Sequence, residues 1–204
     1  MNSTNPDINP VKSFFKSVEK KLLKHSKHLY FKTVISQKSG AKNIIKKYKE
    51  ASTGKSPIDK TCPIWICWWQ GEANMPDIVK VCYASAKHHA GQHPVILITE
   101  QNYQEYATMP DYILQKVKNL THFSDMLRIN LLKEHGGIWA DSTLLFTRDV
   151  DSIMNPDTDF YTCHHTAKNT NVANGKWTVF FIACGKDNIL PAFLLDMFYS
   201  YWKN

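Results

Sequence analysis

Residues 121–147 read T-H-F-S-D-M-L-R-I-N-L-L-K-E-H-G-G-I-W-A-D-S-T-L-L-F-T, and few folds accommodate that order. Phe123, Leu127 and Leu131 recur at helical spacing, and Met126, Ile129 and Leu132 carry the apolar surface nearly all round. Such a helix has to be buried. Thr121 is the expected N-cap, because its hydroxyl can accept from a free backbone N–H two or three residues on. Gly136 and Gly137 stop the helix, since glycine takes left-handed backbone angles without steric penalty. Residues 138–140 then read as a buried strand that delivers Asp141 at its end. Open α/β sheets bind ligands at the carboxyl ends of their strands. Asp125 and Arg128 stand three apart and share a face of the helix. Charges on an otherwise apolar helix need partners.

Charge divides the chain. Residues 1–60 hold 14 lysines against 4 acids, a net +10, whereas residues 61–204 hold 11 Lys and Arg against 14 acids, a net −3. The expected organisation is therefore a basic helical extension and linker over 1–60 and one catalytic-sized domain over 61–204. Within the extension, residues 11–35 pair a stripe of Phe14, Val18 and Leu22, widened by Phe15, Leu23 and Leu29, with Lys12, Lys16, Lys20, Lys24 and Lys27. Two readings fit that pattern equally: a helix lying on an anionic membrane surface, or a helix packed on the domain with a solvated lysine face. No nucleic-acid-binding motif accompanies the lysines, so nucleic acid ranks low as a partner. A second basic helix is expected near 41–51, followed by a Ser/Thr/Gly/Pro linker over 52–57.

No window approaches the roughly 18 uninterrupted apolar residues of a membrane-spanning helix, and the N-terminus lacks the pattern of a secretory signal. The five cysteines are scattered and form no C-x-x-C pair. Reduced thiols in a cytoplasmic protein are expected, with the inner face of a membrane as its docking place on the first of the two readings. Strands are expected at 64–69, 95–99, 138–140, 160–163 and 178–184. Helices are expected at 75–89 (with Ile78, Val81, Cys82 and Ser85 inward), 101–108, 111–118 and 188–202. Strands alternating with helices predict an α/β domain with a mostly parallel, mixed sheet.

The chain has no Walker loop, G-x-G-x-x-G, G-x-S-x-G or H-E-x-x-H, and its nine histidines do not fall at metal spacing. The string S-D-M-L-R-I-N-L-L-K-E-H-G-G-I-W-A-D-S-T resembles the sugar-transferase (DXD-type) motif of glycosyltransferase family 32, most closely its capsular polysaccharide synthesis branch. W-W-Q-G followed by M-P-D-I-V-K-V-C-Y-A-S resembles the opening strand and helix of that branch. W-T-V-F-F-I-A-C and Tyr201-Trp202 resemble its later segments.

The resemblance implies a GT-A-like nucleotide-sugar-binding fold. It implies transfer of a sugar, with retention, to a polysaccharide or lipid-linked glycan acceptor. Asp141 would hold a divalent cation, Mn²⁺ or Mg²⁺, opposite the departing diphosphate. The usual second motif Asp is Thr143 here, as in the D-[AS]-T form of the capsular branch. Asp125 would accept from donor hydroxyls, and Arg128 would contact the sugar or its phosphate. Trp68 or Trp69 would stack on the base, Gln70 and Gly71 would let backbone approach, and Gly137 would permit close packing beside the donor. Two other readings stand beside this one. The chain stops at Asn204, where the family body is expected to continue, so it would be a non-catalytic nucleotide-sugar-binding protein or partner subunit. Alternatively, residues 1–60 would make it a basic scaffold.

Overall fold

The computed structural model describes residues 40–51, 56–155, 157–164 and 176–203, with residues 18, 19, 22, 23, 25, 26 and 29 as helical positions. Most of the expected helix over 11–35 lies outside the described residues. Leu22, Leu23 and Leu29 within it expose 66%, 54% and 59% of their surface.

Five short strands make one sheet. β1 (Ile64–Cys67) lies between β2 (Val95–Ile98) and β3 (Gly137–Ala140), parallel to both. β5 (Phe181–Cys184) pairs antiparallel with β3, and β4 (Phe160–Thr162) antiparallel with β5, giving the order β2-β1-β3-β5-β4. Four strands thus run one way and β5 alone opposes them, the mostly parallel mixed sheet expected. The strands are shorter than expected: β1 ends at Cys67, before the tryptophan pair, and β5 starts only at Phe181.

Strand side chains alternate across a sheet, and this alternation builds two cores. Ile64, Ile66, Ile138, Ala140 and Ala183 face a layer containing Val79, Tyr83 and Ala86 of α2 (Asp77–His88). Trp65, Trp139 and Ile182 face the other way, against Phe123, Met126, Leu127 and Leu131 of a long helix. Before that helix come α3 (Tyr103–Tyr106) and α4 (Asp111–Lys116), and the long helix itself is α5 (Leu120–His135). Eight consecutive or near-consecutive α5 residues, from Phe123 to Leu132, are buried. Burying each large apolar side chain contributes about 1.5–3 kcal/mol, far more than any helix propensity in this stretch.

Two details differ from expectation. Asn119, not Thr121, caps α5: its side chain accepts from the Thr121 N–H, so the helix starts at Leu120. In α2 the buried residues are Val79, Cys82, Tyr83 and Ala86, while Ile78 and Val81 are exposed. The apolar residues there extend more than half-way round, and packing against β1 selected a stripe about 100° from the one expected.

The packed body also begins earlier than residue 61. α1 (Ala41–Glu50) lies on α6 (Ile189–Lys203), where Lys47 Nζ and the Tyr48 hydroxyl both donate to Asp196 Oδ2, at 2.8 and 2.9 Å. Tyr48 meets Phe193 edge-on at 5.5 Å. Ser56 sits so close to Gly185 that a Cβ there would fall 1.8 Å from the Ser56 carbonyl oxygen. Ile58 N–H donates to Thr158 O. The boundary expected at 60/61 is therefore no break in packing, because these contacts carry the body back to residue 41.

Candidate active site

β1 connects through α2 to β2 on one side, and the chain then returns through α5 to β3 on the other side of β1. α2 and α5 accordingly cover opposite faces of the sheet. The strand order reverses between β1 and β3, and a crevice opens at the carboxyl ends of such a pair. Asp141 follows β3 directly. Its N–H donates to Phe180 O at 2.8 Å, and its carbonyl accepts from Leu144 N–H in a turn that leaves Thr143 exposed.

Arg128 reaches this crevice from α5. Its side chain is only 6% exposed, and Nη2 lies 3.1 Å from Asp125 Oδ1 and 3.6 Å from Asp141 Oδ1. Nη1 donates a short hydrogen bond to Val179 O. The guanidinium carbon stands 5.0 Å over the Trp139 ring. Trp139 Nε1–H in turn donates to Asp141 Oδ1 at 2.7 Å. One cation, two carboxylates and an indole are thus locked together, Asp125 and Arg128 from α5, Trp139 from β3 and Asp141 from the turn after it. Arg128 Nε is buried with no hydrogen-bond partner.

Burial dominates the electrostatics. It lowers the Arg128 pKa, against the pull of Asp141 and Asp125. It raises the Asp125 carboxyl above its usual range, an effect that Arg128 only partly offsets. The Cys67 thiol at the end of β1 is pushed up to about 12 by burial, with Arg128 acting in the opposite sense. That thiol stays protonated and is no nucleophile at neutral pH. All five cysteines are free.

The tryptophan pair occupies the same edge. Trp68 N–H donates to Ile98 O and Glu100 N–H to Trp69 O, so the turn after β1 prolongs its pairing with β2. The two rings part company there. Trp69 wedges between Tyr103 and Phe123, with ring centroids 5.2 and 5.0 Å away. Trp68 packs on the opposite core and donates Nε1–H to Asn74 O at 3.2 Å. Gln70 is exposed, and its carbonyl accepts from Asn74 Nδ2. Gly71 has φ 82° with open space where a Cβ would stand. Gly137 sits elsewhere. It opens β3 at φ 98°, where a Cβ would meet Pro63 O at 2.5 Å. Its close packing is against the neighbouring strand, at the end of β3 away from Asp141.

Sequence reasoning passed over Trp139 and Val179. Residues 139 and 141 stand two apart along an extended segment and share a face, so the indole–carboxylate contact was legible. The Val179 carbonyl, 51 residues from Arg128, left no signal. Beyond Asp141 an apolar hollow of about 350 Å³ is lined by Leu144, Phe146, Arg148, Tyr161 and Phe180 among others. It lies beside the Arg128 cluster and does not include it.

A divalent cation can be tested against this donor set. Among the described residues, the polar contacts of the Asp141 carboxylate fall on Oδ1, not on Oδ2. Among the described residues no three His, Cys, Asp or Glu side chains gather to hold a metal ion. Among the described residues, Asp141 Oδ2 is the carboxylate oxygen placed for this role, and the remaining ligands would come from a bound phosphate group and water. Among the described residues no helix is long and apolar enough to cross a membrane.

No curated protein matches the chain. Among solved structures, the PaToxG glycosyltransferase is similar over 85% of this chain and 72% of its own, at 18% identity and a TM-score of 0.48. At that distance the likeness carries no argument about chemistry. A family model described as capsular polysaccharide synthesis protein matches residues 11–204, from within the basic segment through the switch-point crevice to α6. The chain therefore belongs to the capsular polysaccharide synthesis protein family.

Proposed function

We propose that this chain is a glycosyltransferase of the family-32 type, moving a sugar from a nucleotide-sugar to a glycan or lipid-linked acceptor in capsule synthesis. The observation that carries the reading is the Arg128 cluster: a buried guanidinium at the switch-point crevice, held by Asp125, Asp141 and Val179 O, with Nε unpartnered. A buried polar atom without a partner costs stability. The fixed charge of the guanidinium, flanked by the partly exposed carboxylates of Asp125 and Asp141, suits an anionic, hydroxyl-rich ligand.

The residues then take distinct tasks. Arg128 draws the donor's phosphate or sugar oxygens into a dry site, where a fixed positive charge stabilises a departing diphosphate far more than in water. Asp125 accepts from sugar hydroxyls and keeps the guanidinium oriented. Trp139 fixes the Asp141 carboxylate through Oδ1. Asp141 would hold Mn²⁺ or Mg²⁺, and such an ion, when bound, would supply neutralisation of leaving-group charge. Thr143 would offer a hydroxyl to the donor from the turn after Asp141. Trp68, anchored through Nε1 at the edge of one core, offers its ring to the base, whereas Trp69 is wedged into the other core. Gln70 and Gly71 leave the backbone after β1 open to approach. Retention of configuration would need no dedicated general base.

Leu22 and Leu23 are more than half exposed, which favours the membrane-surface reading of residues 11–35 over packing on the body. Docking of that kind would place the enzyme beside lipid-linked acceptors.

The test is a panel of nucleotide-sugars with Mn²⁺, read first as thermal stabilisation and then as release of nucleoside diphosphate. A donor that stabilises the chain and is slowly hydrolysed supports the transferase reading. Stabilisation without any turnover, with acceptor glycans present, would make the chain a nucleotide-sugar-binding subunit. No stabilisation by any donor would overturn both.

A further inference from the structure

The hollow of about 350 Å³ beyond Asp141 is tied to that residue through its backbone. The Asp141 N–H donates to the Phe180 carbonyl, and the Asp141 carbonyl accepts from the Leu144 N–H. Phe180 and Leu144 both line the hollow, so its wall adjoins the crevice. The wall is aromatic and set before any ligand arrives. Phe181 is buried and meets Phe146 at 6.3 Å and Tyr161 edge-on at 5.9 Å. Phe146 is held in turn by its N–H, which donates to Ser85 Oγ of α2 at 3.0 Å. Leu144 and Ile153 add aliphatic surface, and Leu145, also in the lining, leaves 57% of its own surface to water.

The polar part of the lining is small and of one sign. No carboxylate lines the hollow, and Arg148 does. Arg148 is exposed, and among the described residues it forms no ion pair. The nearby carboxylates are engaged elsewhere, Asp149 by His89 at 3.0 Å and Asp151 by His93 at 3.3 Å. The Ser152 hydroxyl is spent on Asp149 O at 2.6 Å. Burial raises the Tyr161 pKa and the Arg148 charge pulls it back, which sets the guanidinium near the tyrosine end of the wall. A free anion would leave the hydrocarbon wall in water. A sugar would turn most of its hydroxyls onto Phe, Leu and Ile side chains that cannot pair with them. A hydrocarbon chain with an anionic head satisfies both parts of the lining.

We propose that this hollow is the acceptor subsite for a lipid phosphate, its hydrocarbon chain lying against Leu144, Leu145, Phe146, Ile153 and Phe181 and its phosphate pairing with Arg148. The proposal rests on the transferase reading and narrows the acceptor to a glycan carried on a lipid phosphate. Because Phe180 and Leu144 join the hollow to Asp141, a glycan attached to that phosphate stays within reach of the crevice.

The probes are methyl, butyl, hexyl and octyl phosphate, with 1-octanol as the neutral control. Each is titrated into the full chain below its micelle-forming concentration and read by ligand-observed saturation-transfer NMR. Affinity should rise about fourfold for each added methylene until the hollow is filled. Octyl phosphate should bind tighter than 1-octanol by about tenfold or more. Leu145→Asp should weaken octyl phosphate by about tenfold or more, with melting temperature unchanged because the side chain is more than half exposed. Arg148→Gln should erase the preference over 1-octanol and keep the dependence on chain length. Arg128→Lys should keep both, which separates the hollow from the donor crevice. Absent binding, affinity independent of chain length, or binding that Leu145→Asp or Arg148→Gln leaves unweakened overturns the proposal. Any of these in a chain that hydrolyses its donor overturns this subsite alone. Binding that responds as expected in a chain that turns over no donor upholds the lipid-phosphate site and overturns the transferase reading.

Discussion

The two faces of α5 place the same kind of defect in two different settings. Toward the crevice, Arg128 is buried with Nε unpartnered, surrounded by two carboxylates, a carbonyl and an indole. Toward α6, Asn130 is buried with Oδ1 unpartnered, surrounded by a carbonyl, a hydroxyl and a thioether. The first setting is charged and includes Asp125 and Asp141, each with 37% of its side chain exposed. The second is neutral. A fixed charge in a dry crevice suits a ligand whose own charge changes during reaction. One helix can thus present a charged cluster on one face and a neutral one on the other because residues two apart on it look in nearly opposite directions.

Removing the charge from the crevice should have the largest effect. Asp141→Asn keeps an acceptor for Trp139 Nε1 but loses the anion, and transfer should fall by roughly 10³-fold, with the fold retained. Wild-type rates with the assigned donor would place the essential carboxylate elsewhere. Arg128→Lys should cost about 10²-fold, because lysine lacks the planar fork that spans Asp125, Asp141 and Val179 O. Its melting temperature should fall much less in proportion. If rate and stability fell together, the cluster would be a structural ion pair and the contrast between the faces would disappear.

On the other face the order should reverse. Asn130→Leu strands the Thr108 carbonyl and should cost about 1–3 kcal/mol in urea denaturation, with donor hydrolysis changed by less than about threefold. A large loss of hydrolysis would join Asn130 to the reaction.

A smaller effect comes from Asp125. Its pKa is raised in the folded chain, burial being the main cause. The folded state therefore binds the proton more tightly than the unfolded state, and ionisation costs stability. Relative to Asp125→Asn, the wild type should show no pH-dependent difference below the ordinary value of 3.8. It should then lose stability as the pH rises through the raised value. Thermal melts across the acid range would show it. A wild type that gains stability over that interval would mean that Arg128 outweighs burial.

The smallest effect on rate belongs to the N-terminal segment. Replacing Lys12, Lys16, Lys20, Lys24 and Lys27 by Glu in the full chain should abolish sedimentation with anionic vesicles, since each lysine near such a surface contributes about 1 kcal/mol. Activity on a soluble acceptor should be unchanged. Sedimentation that persists in the variant would remove the membrane reading.

Local patterning by itself determined α5, the glycine break and β3, because eight buried positions in one helix and two consecutive glycines leave little choice of structure. That Asp125, Arg128 and Asp141 form one site was implied by the resemblance of their string to the sugar-transferase motif, and the packing brings the three side chains together. Tertiary structure decided the rest. Which core each tryptophan joins depended on Phe123 and Tyr103 arriving from other elements. Which stripe of α2 turned inward depended on the packing of the sheet. The edge of the body moved to residue 41 because α1 found Asp196 and Phe193 on α6, 148 and 145 positions away from Tyr48. The Val179 carbonyl on Arg128 and the empty acceptor on Asn130 belong to the same class. Backbone carbonyls carry no residue identity, and an unsatisfied atom is defined only by what surrounds it. Both become visible only when distant segments are packed together.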